Sequence, residues 1–92
     1  MAGPLFPLGR LVATPGAMEL LRSAGEDLLP ALLERHQSGD WGDVPPEDAQ
    51  ENEFSVRHGF RIISSYRVAG EQLWVITERD RSATTLLLPS EY

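Results

Sequence analysis

The 92-residue sequence predicts a single α+β domain spanning residues 1–92: two or three N-terminal helices packed on a three- to four-stranded antiparallel sheet, formed mainly by a C-terminal meander. Two observations carry this expectation. Up to about residue 58, apolar residues recur at helical spacing between capping signals. After Phe60 the pattern changes to alternation with period two. Helices first and strands second, in a chain of one-domain length, is the α+β order.

Pro4 and Pro7 block regular structure at the start. Leu11 and Val12 suggest a short strand within Gly9–Ala13. Thr14 followed by Pro15 reads as an N-cap with proline at the first helical position, opening a helix to about Ala24. Gly25 can end it in the left-handed conformation. Asp27 is the expected cap of a second helix, in which Leu28, Leu29, Leu32 and Leu33 share a face and Ser38-Gly39 ends the run. Arg35 and His36 then fall in its last turn, where positive charge suits the helix dipole. A third, largely polar surface helix starts at Pro46, with Glu47 and Asp48 in its first turn, and stops at Gly59. Strands follow over Phe60–Val68, Gln72–Thr77 and Ala83–Leu88. In the first of them Phe60, Ile62, Ser64, Tyr66 and Val68 share one face, and Arg61, Ile63, Ser65 and Arg67 share the other.

Composition narrows the function. Hydrophobic residues make up 41% and charged residues 24%, an ordinary globular balance. No apolar run approaches the ~18 residues of a spanning helix. The start, Met1-Ala2-Gly3-Pro4, has no basic region, so no export signal is expected and the cytoplasm is the expected compartment. The absence of cysteine excludes disulfides and thiolate metal sites. All the basic residues are arginine, so no lysine can form a Schiff base or complete a phosphate-binding loop. The net charge of −6 argues against non-specific nucleic-acid binding. The charge is uneven. Asp40, Asp43, Glu47, Asp48, Glu51 and Glu53 form an acidic middle without a base, and a mildly basic C-terminal third follows.

Several clusters are chemically suggestive. In Asp40-Trp41-Gly42-Asp43 the two carboxylates could begin a divalent-cation site, although a good one needs more oxygen ligands. They could equally make side-chain-to-backbone turns, with Trp41 anchoring the loop on the core. His36 and His58 alone do not make a zinc site, and helix-terminal roles are expected for both. No Gly-x-Ser-x-Gly turn surrounds a serine, which leaves hydrolase-type nucleophilic catalysis without support. No metal or other cofactor is expected. Arg79, Asp80 and Arg81 gather in the turn Thr77–Ser82, and Arg61 precedes them on a strand. Arginine with carboxylate is the chemistry of metal-free phosphodiester cleavage. It is also what an ordinary solvated hairpin contains.

The runs Ala13-Thr14-Pro15-Gly16-Ala17, His36-Gln37-Ser38-Gly39-Asp40-Trp41-Gly42-Asp43, Gly59–Tyr66, Trp74–Thr85 and Leu87-Leu88-Pro89, with Asp48 and Asn52, cover most of the chain. In them the sequence resembles a group of small uncharacterised bacterial proteins of plasmids, phages and other mobile elements, often labelled plasmid-related or as restriction-modification subunits. Separately, Arg61–Ser65, Leu73–Thr77 and the charged turn before Thr84 look like the C-terminal hairpins of barnase-like ribonucleases. Arg61 matches that family's strand arginine. The family's histidine position is filled here by Asp80 or Arg81, and no glutamate aligns with its base.

Two functions are therefore expected. The first is a non-enzymatic binding or regulatory protein. It would present Asp40, Trp41, Asp43, Glu47, Asp48, Glu51 and Glu53 to a basic partner, such as a nucleic-acid-handling or defence protein. The alternative is a metal-independent ribonuclease, acting on RNA through Arg61, Arg79, Asp80 and Arg81. Neither involves a membrane, and the sequence leaves the oligomeric state open.

Overall fold

The computed structural model describes residues 3–25 and 27–92. Strand β1 (Arg10–Ala13) is followed by helices α1 (Pro15–Ala24), α2 (Leu28–Ser38) and α3 (Pro46–His58). Strands β2 (Ile62–Val68), β3 (Glu71–Thr77) and β4 (Ala83–Leu87) come next, and a 3₁₀ turn covers Pro89–Glu91. The fold is α+β, with its helices before the meander.

Thr14 caps α1 by accepting the Ala17 N–H at 3.2 Å, and Pro15 takes the first helical position. Two other terminal expectations are corrected. Gly25 ends α1 at φ 116°, ψ 146°, outside the left-handed helical region. Asp27 sits in helical backbone and makes no side-chain cap. The Leu28 N–H instead reaches the Gly25 carbonyl at 3.3 Å. Pro46 opens α3, and Gly59 closes it at φ 74°, ψ 42°, as its freedom at positive φ allows.

The sheet order is β1-β4-β3-β2. The meander β2-β3-β4 is antiparallel, and Ala69-Gly70, both at positive φ, make the tight turn between its first two strands. β1 departs from the expected all-antiparallel sheet by pairing parallel to β4, Leu11 opposite Thr84 and Ala13 opposite Leu86. Parallel neighbours need a long crossover, and the intervening helices and meander supply it.

The inward face of the sheet carries Tyr66, Val68, Leu73, Val75 and Leu86, packed on Ala17 and Leu20 of α1 and Leu32 and Leu33 of α2. A second cluster joins Phe6, Trp41 and Ile62 to Val44 and to Ala49 and Val56 of α3. Through these contacts α3 is more than a surface helix, since it also buries Asn52 and Ser55. The open edge of β2 is closed by side chain and loop. Asn52 donates to the Ile63 carbonyl at 2.8 Å and accepts the Ile63 N–H at 3.1 Å. Ser65 donates its N–H to the Trp41 carbonyl at 3.0 Å and accepts from the Asp43 N–H at 2.6 Å. Ser65 is consequently buried although its alternation points outward. This approach requires Gly42: a Cβ there would stand 2.1 Å from the Ser65 carbonyl oxygen. Phe60 and Arg61 precede β2 and do not belong to its faces; Phe60 is exposed.

His36 overturns the expected helix-terminal role. It is completely buried, with Nδ1 2.6 Å from Ser64 Oγ and Nε2 2.9 Å from Thr77 Oγ1. Thr77 continues to Thr84 at 2.7 Å, and Thr84 donates to the Leu8 carbonyl at 2.7 Å. Burial, reinforced by the charge of Arg81, pushes the imidazole down from 6.5 to about 4. The ring is therefore neutral in the folded protein, whereas the unfolded chain protonates it near 6.5. The resulting stability is fully present above pH 6.5 and is lost as the pH falls toward 4. At ~1.4 kcal/mol per pH unit, wild type should lose about 2 kcal/mol of unfolding free energy between pH 6.5 and about 5, above the range where the carboxylates titrate. His36→Gln should be less stable throughout, and flat across that window in urea titrations. An unchanged slope in the variant would place the pH dependence elsewhere.

Candidate functional site

An open groove of 1370 Å³ runs between α3 and the outward side of β2 and β3. The Asn52 amide fixes its geometry by docking α3 on β2. Glu47, Glu51 and Phe54, spaced i, i+4 and i+7, share one side of α3 and line one wall. Asp48 lies beside them, and the loop before α3 adds Asp43, Val44 and Pro45. The floor is Ile63, Ser65 and Trp74. Phe60, Arg61, Glu78, Arg79 and Tyr92 line the remainder.

The expected acidic face divides in two. Asp40, Trp41 and Glu53 are occupied within the fold. Asp40 pairs with Arg35 at 2.7 Å and accepts the Gly42 N–H at 3.2 Å, and the guanidinium's hydrogen bond holds its carboxyl below the usual range. The Gly42 contact is the expected side-chain-to-backbone turn for Asp40, whereas the Asp43 carboxylate accepts from the Gln72 side-chain amide at 3.4 Å; among the described residues no group of three or more metal-ligating side chains converges. Trp41 is buried against Phe6 and His36, and its indole N–H donates to Glu53 at 3.0 Å. By contrast Asp43, Glu47, Asp48 and Glu51 line the groove. The ion pairs among the described residues, Glu19–Arg22 and Arg35–Asp40, involve none of them.

The arginine cluster divides as well. Arg81 donates to the carbonyls of Phe60 at 2.7 Å, Ser55 at 2.8 Å and Glu78 at 3.1 Å. It thus caps the end of α3 and closes the β3–β4 turn. Asp80 accepts the Ser82 N–H at 3.0 Å, an Asx turn. Arg61 and Arg79 reach the groove, where Arg61 donates to the Tyr92 hydroxyl and lies over its ring, and Arg79 lies over Phe60. Of the four residues expected to cleave RNA, two face the groove and two hold backbone.

The aromatic lining was not foreseen as functional. Phe54 and Phe60 are 55% and 46% exposed and stack at 5.9 Å with 16° between planes. His58 stacks on Phe54 at 4.1 Å, and Trp74 meets Tyr92 edge-on at 5.5 Å. Strand alternation contains a signal for Trp74, since Leu73 and Val75 point inward. Nothing local separates Phe54 from a core residue. The groove exceeds the ~300–1,000 Å³ of small-molecule pockets and is open, which suits a chain segment better than a small ligand.

Comparison with protein-family models, curated proteins and solved structures finds no match.

The division of the arginines has a direct check. Arg81→Met should destabilise by roughly 2–3 kcal/mol, because three carbonyls lose a charged donor. Arg61→Ala and Arg79→Ala, at the surface, should each stay within about 1 kcal/mol of wild type. Denaturant unfolding of the three variants measures this, and a neutral Arg81→Met would remove Arg81 from its capping role.

Proposed function

We propose that this protein is a non-enzymatic binding module of the cytoplasm that takes a basic segment of a partner protein into the groove. The observation that carries this reading is the set Asp43, Glu47, Asp48 and Glu51, none in an ion pair among the described residues, along a groove floored by Ile63 and Trp74. Unpaired carboxylates steer a basic partner and set its register, while the apolar floor supplies the contact area. The resemblance to mobile-element proteins supports a host nucleic-acid-handling or defence protein as that partner.

The ribonuclease alternative keeps one favourable observation: Arg61 and Arg79 both line the groove, beside Glu78. Cleavage at a 2′-hydroxyl needs a base and an acid converging on the reacting atoms. Asp80 and Arg81, the residues at the family's histidine position, are engaged with backbone. The binding reading is therefore the stronger.

An oligo-arginine peptide followed by fluorescence anisotropy tests it. Affinity should fall steeply with salt. The triple variant Glu47→Gln/Asp48→Asn/Glu51→Gln should bind about 10–100-fold more weakly at low salt, consistent with roughly 1–3 kcal/mol lost across the neutralised contacts. Equal binding by the variant would refute the reading. Chelator-resistant RNA cleavage lost in Arg61→Ala would replace it with the ribonuclease.

A further inference from the structure

The groove's two ends differ in sign. Glu47 and Glu51 stand one turn apart toward the start of α3, and Phe54 continues their stripe toward its end. There the lining changes to Phe60, Arg61 and Arg79. Neither arginine is in an ion pair among the described residues, although Glu78 also lines that end. Each lies over an aromatic ring, Arg61 at 5.4 Å from the Tyr92 centroid and Arg79 at 5.9 Å from that of Phe60. A uniformly basic occupant satisfies the first end and meets like charge at the second. An acidic one has the opposite fault. Between the ends, Phe54 and Phe60 form an exposed stacked pair, and aromatic and arginine side chains are the residues that dominate interface energetics.

We infer that the occupant is a single polypeptide segment of mixed charge. Its lysine or arginine residues lie on Glu47 and Glu51, a large apolar side chain sits on the Phe54–Phe60 pair, and its aspartate or glutamate residues meet Arg61 and Arg79. This rests on the reading of the groove as a site for a basic partner segment and narrows the chemistry of that segment. α3 spans about 20 Å, which an extended segment of about six residues covers.

Two labelled peptides of about eight residues, titrated into the intact protein at low salt, distinguish the possibilities. One carries arginines, a central tryptophan and then glutamates. The other replaces the glutamates with arginines. Wild type should bind the mixed peptide about tenfold more tightly, a difference of ~1.4 kcal/mol. In Arg61→Glu/Arg79→Glu, with folding verified by circular dichroism, the preference should invert. An arginine-substituted peptide that binds wild type as tightly as the mixed one, or a preference that does not invert, would overturn the inference and leave the simpler basic-segment site standing. Failure of both peptides to bind would remove the two together.

Discussion

His36 projects from α2 into the sheet and engages hydroxyls on two strands, Ser64 of β2 at 2.6 Å and Thr77 of β3 at 2.9 Å. Thr84 on β4 and the Leu8 carbonyl extend the chain to the N-terminal segment. One helix, three strands and the segment before β1 are thus joined by polar contacts inside the core. Such contacts stabilise only when complete, because an orphaned buried group costs ~1–3 kcal/mol. The imidazole is also a wall for Phe6 and Trp41, both within about 6 Å of its centre. Trp41 in turn seats the loop whose Trp41 carbonyl and Asp43 N–H pair with Ser65. That loop leads into α3, so the position of the groove wall is set from the buried histidine outward.

Charged residues in this fold serve two ends. Asp40, Arg35, Glu53, Asp80 and Arg81 find partners within the chain and shape turns or caps. Burial pushes the Arg81 guanidinium down from its ordinary value. Glu91 likewise binds inward, to Thr14 and the Gly16 and Leu88 N–H groups, with the Thr14 hydrogen bond the main cause of its lowered pKa. What remains along the groove is Glu47, Asp48, Glu51 and Arg79, with no side-chain hydrogen bond or ion pair among the described residues, and Asp43 and Arg61, held only by the neutral side chains of Gln72 and Tyr92.

The local features were legible because their causes are local. Thr14-Pro15 starts a helix, Gly59 ends one, and alternation from Ile62 onward builds a strand whatever the rest of the chain does. The parallel pairing of β1 with β4 was not legible, since it joins residues more than seventy positions apart. The fate of polar residues was hidden for the same reason. His36 and its partners are separated by 28 and 41 positions, and nothing near His36 indicates that hydroxyls will meet it. The acidic run was visible as composition. Which of its members would be spent on Arg35 or Trp41 depended on contacts made only in the folded chain.

The two tryptophans give the most direct measurement. Trp41 is buried beside His36, and Trp74 lies on the groove floor. In a ¹⁵N-labelled sample titrated with a mixed-charge peptide, the account predicts that the Trp74 indole resonance shifts progressively, together with the amides of Glu47, Glu51 and Phe54, while the Trp41 indole stays in place. Binding that leaves the Trp74 indole unmoved and shifts amides on another face would contradict the assignment of the groove as the interaction surface.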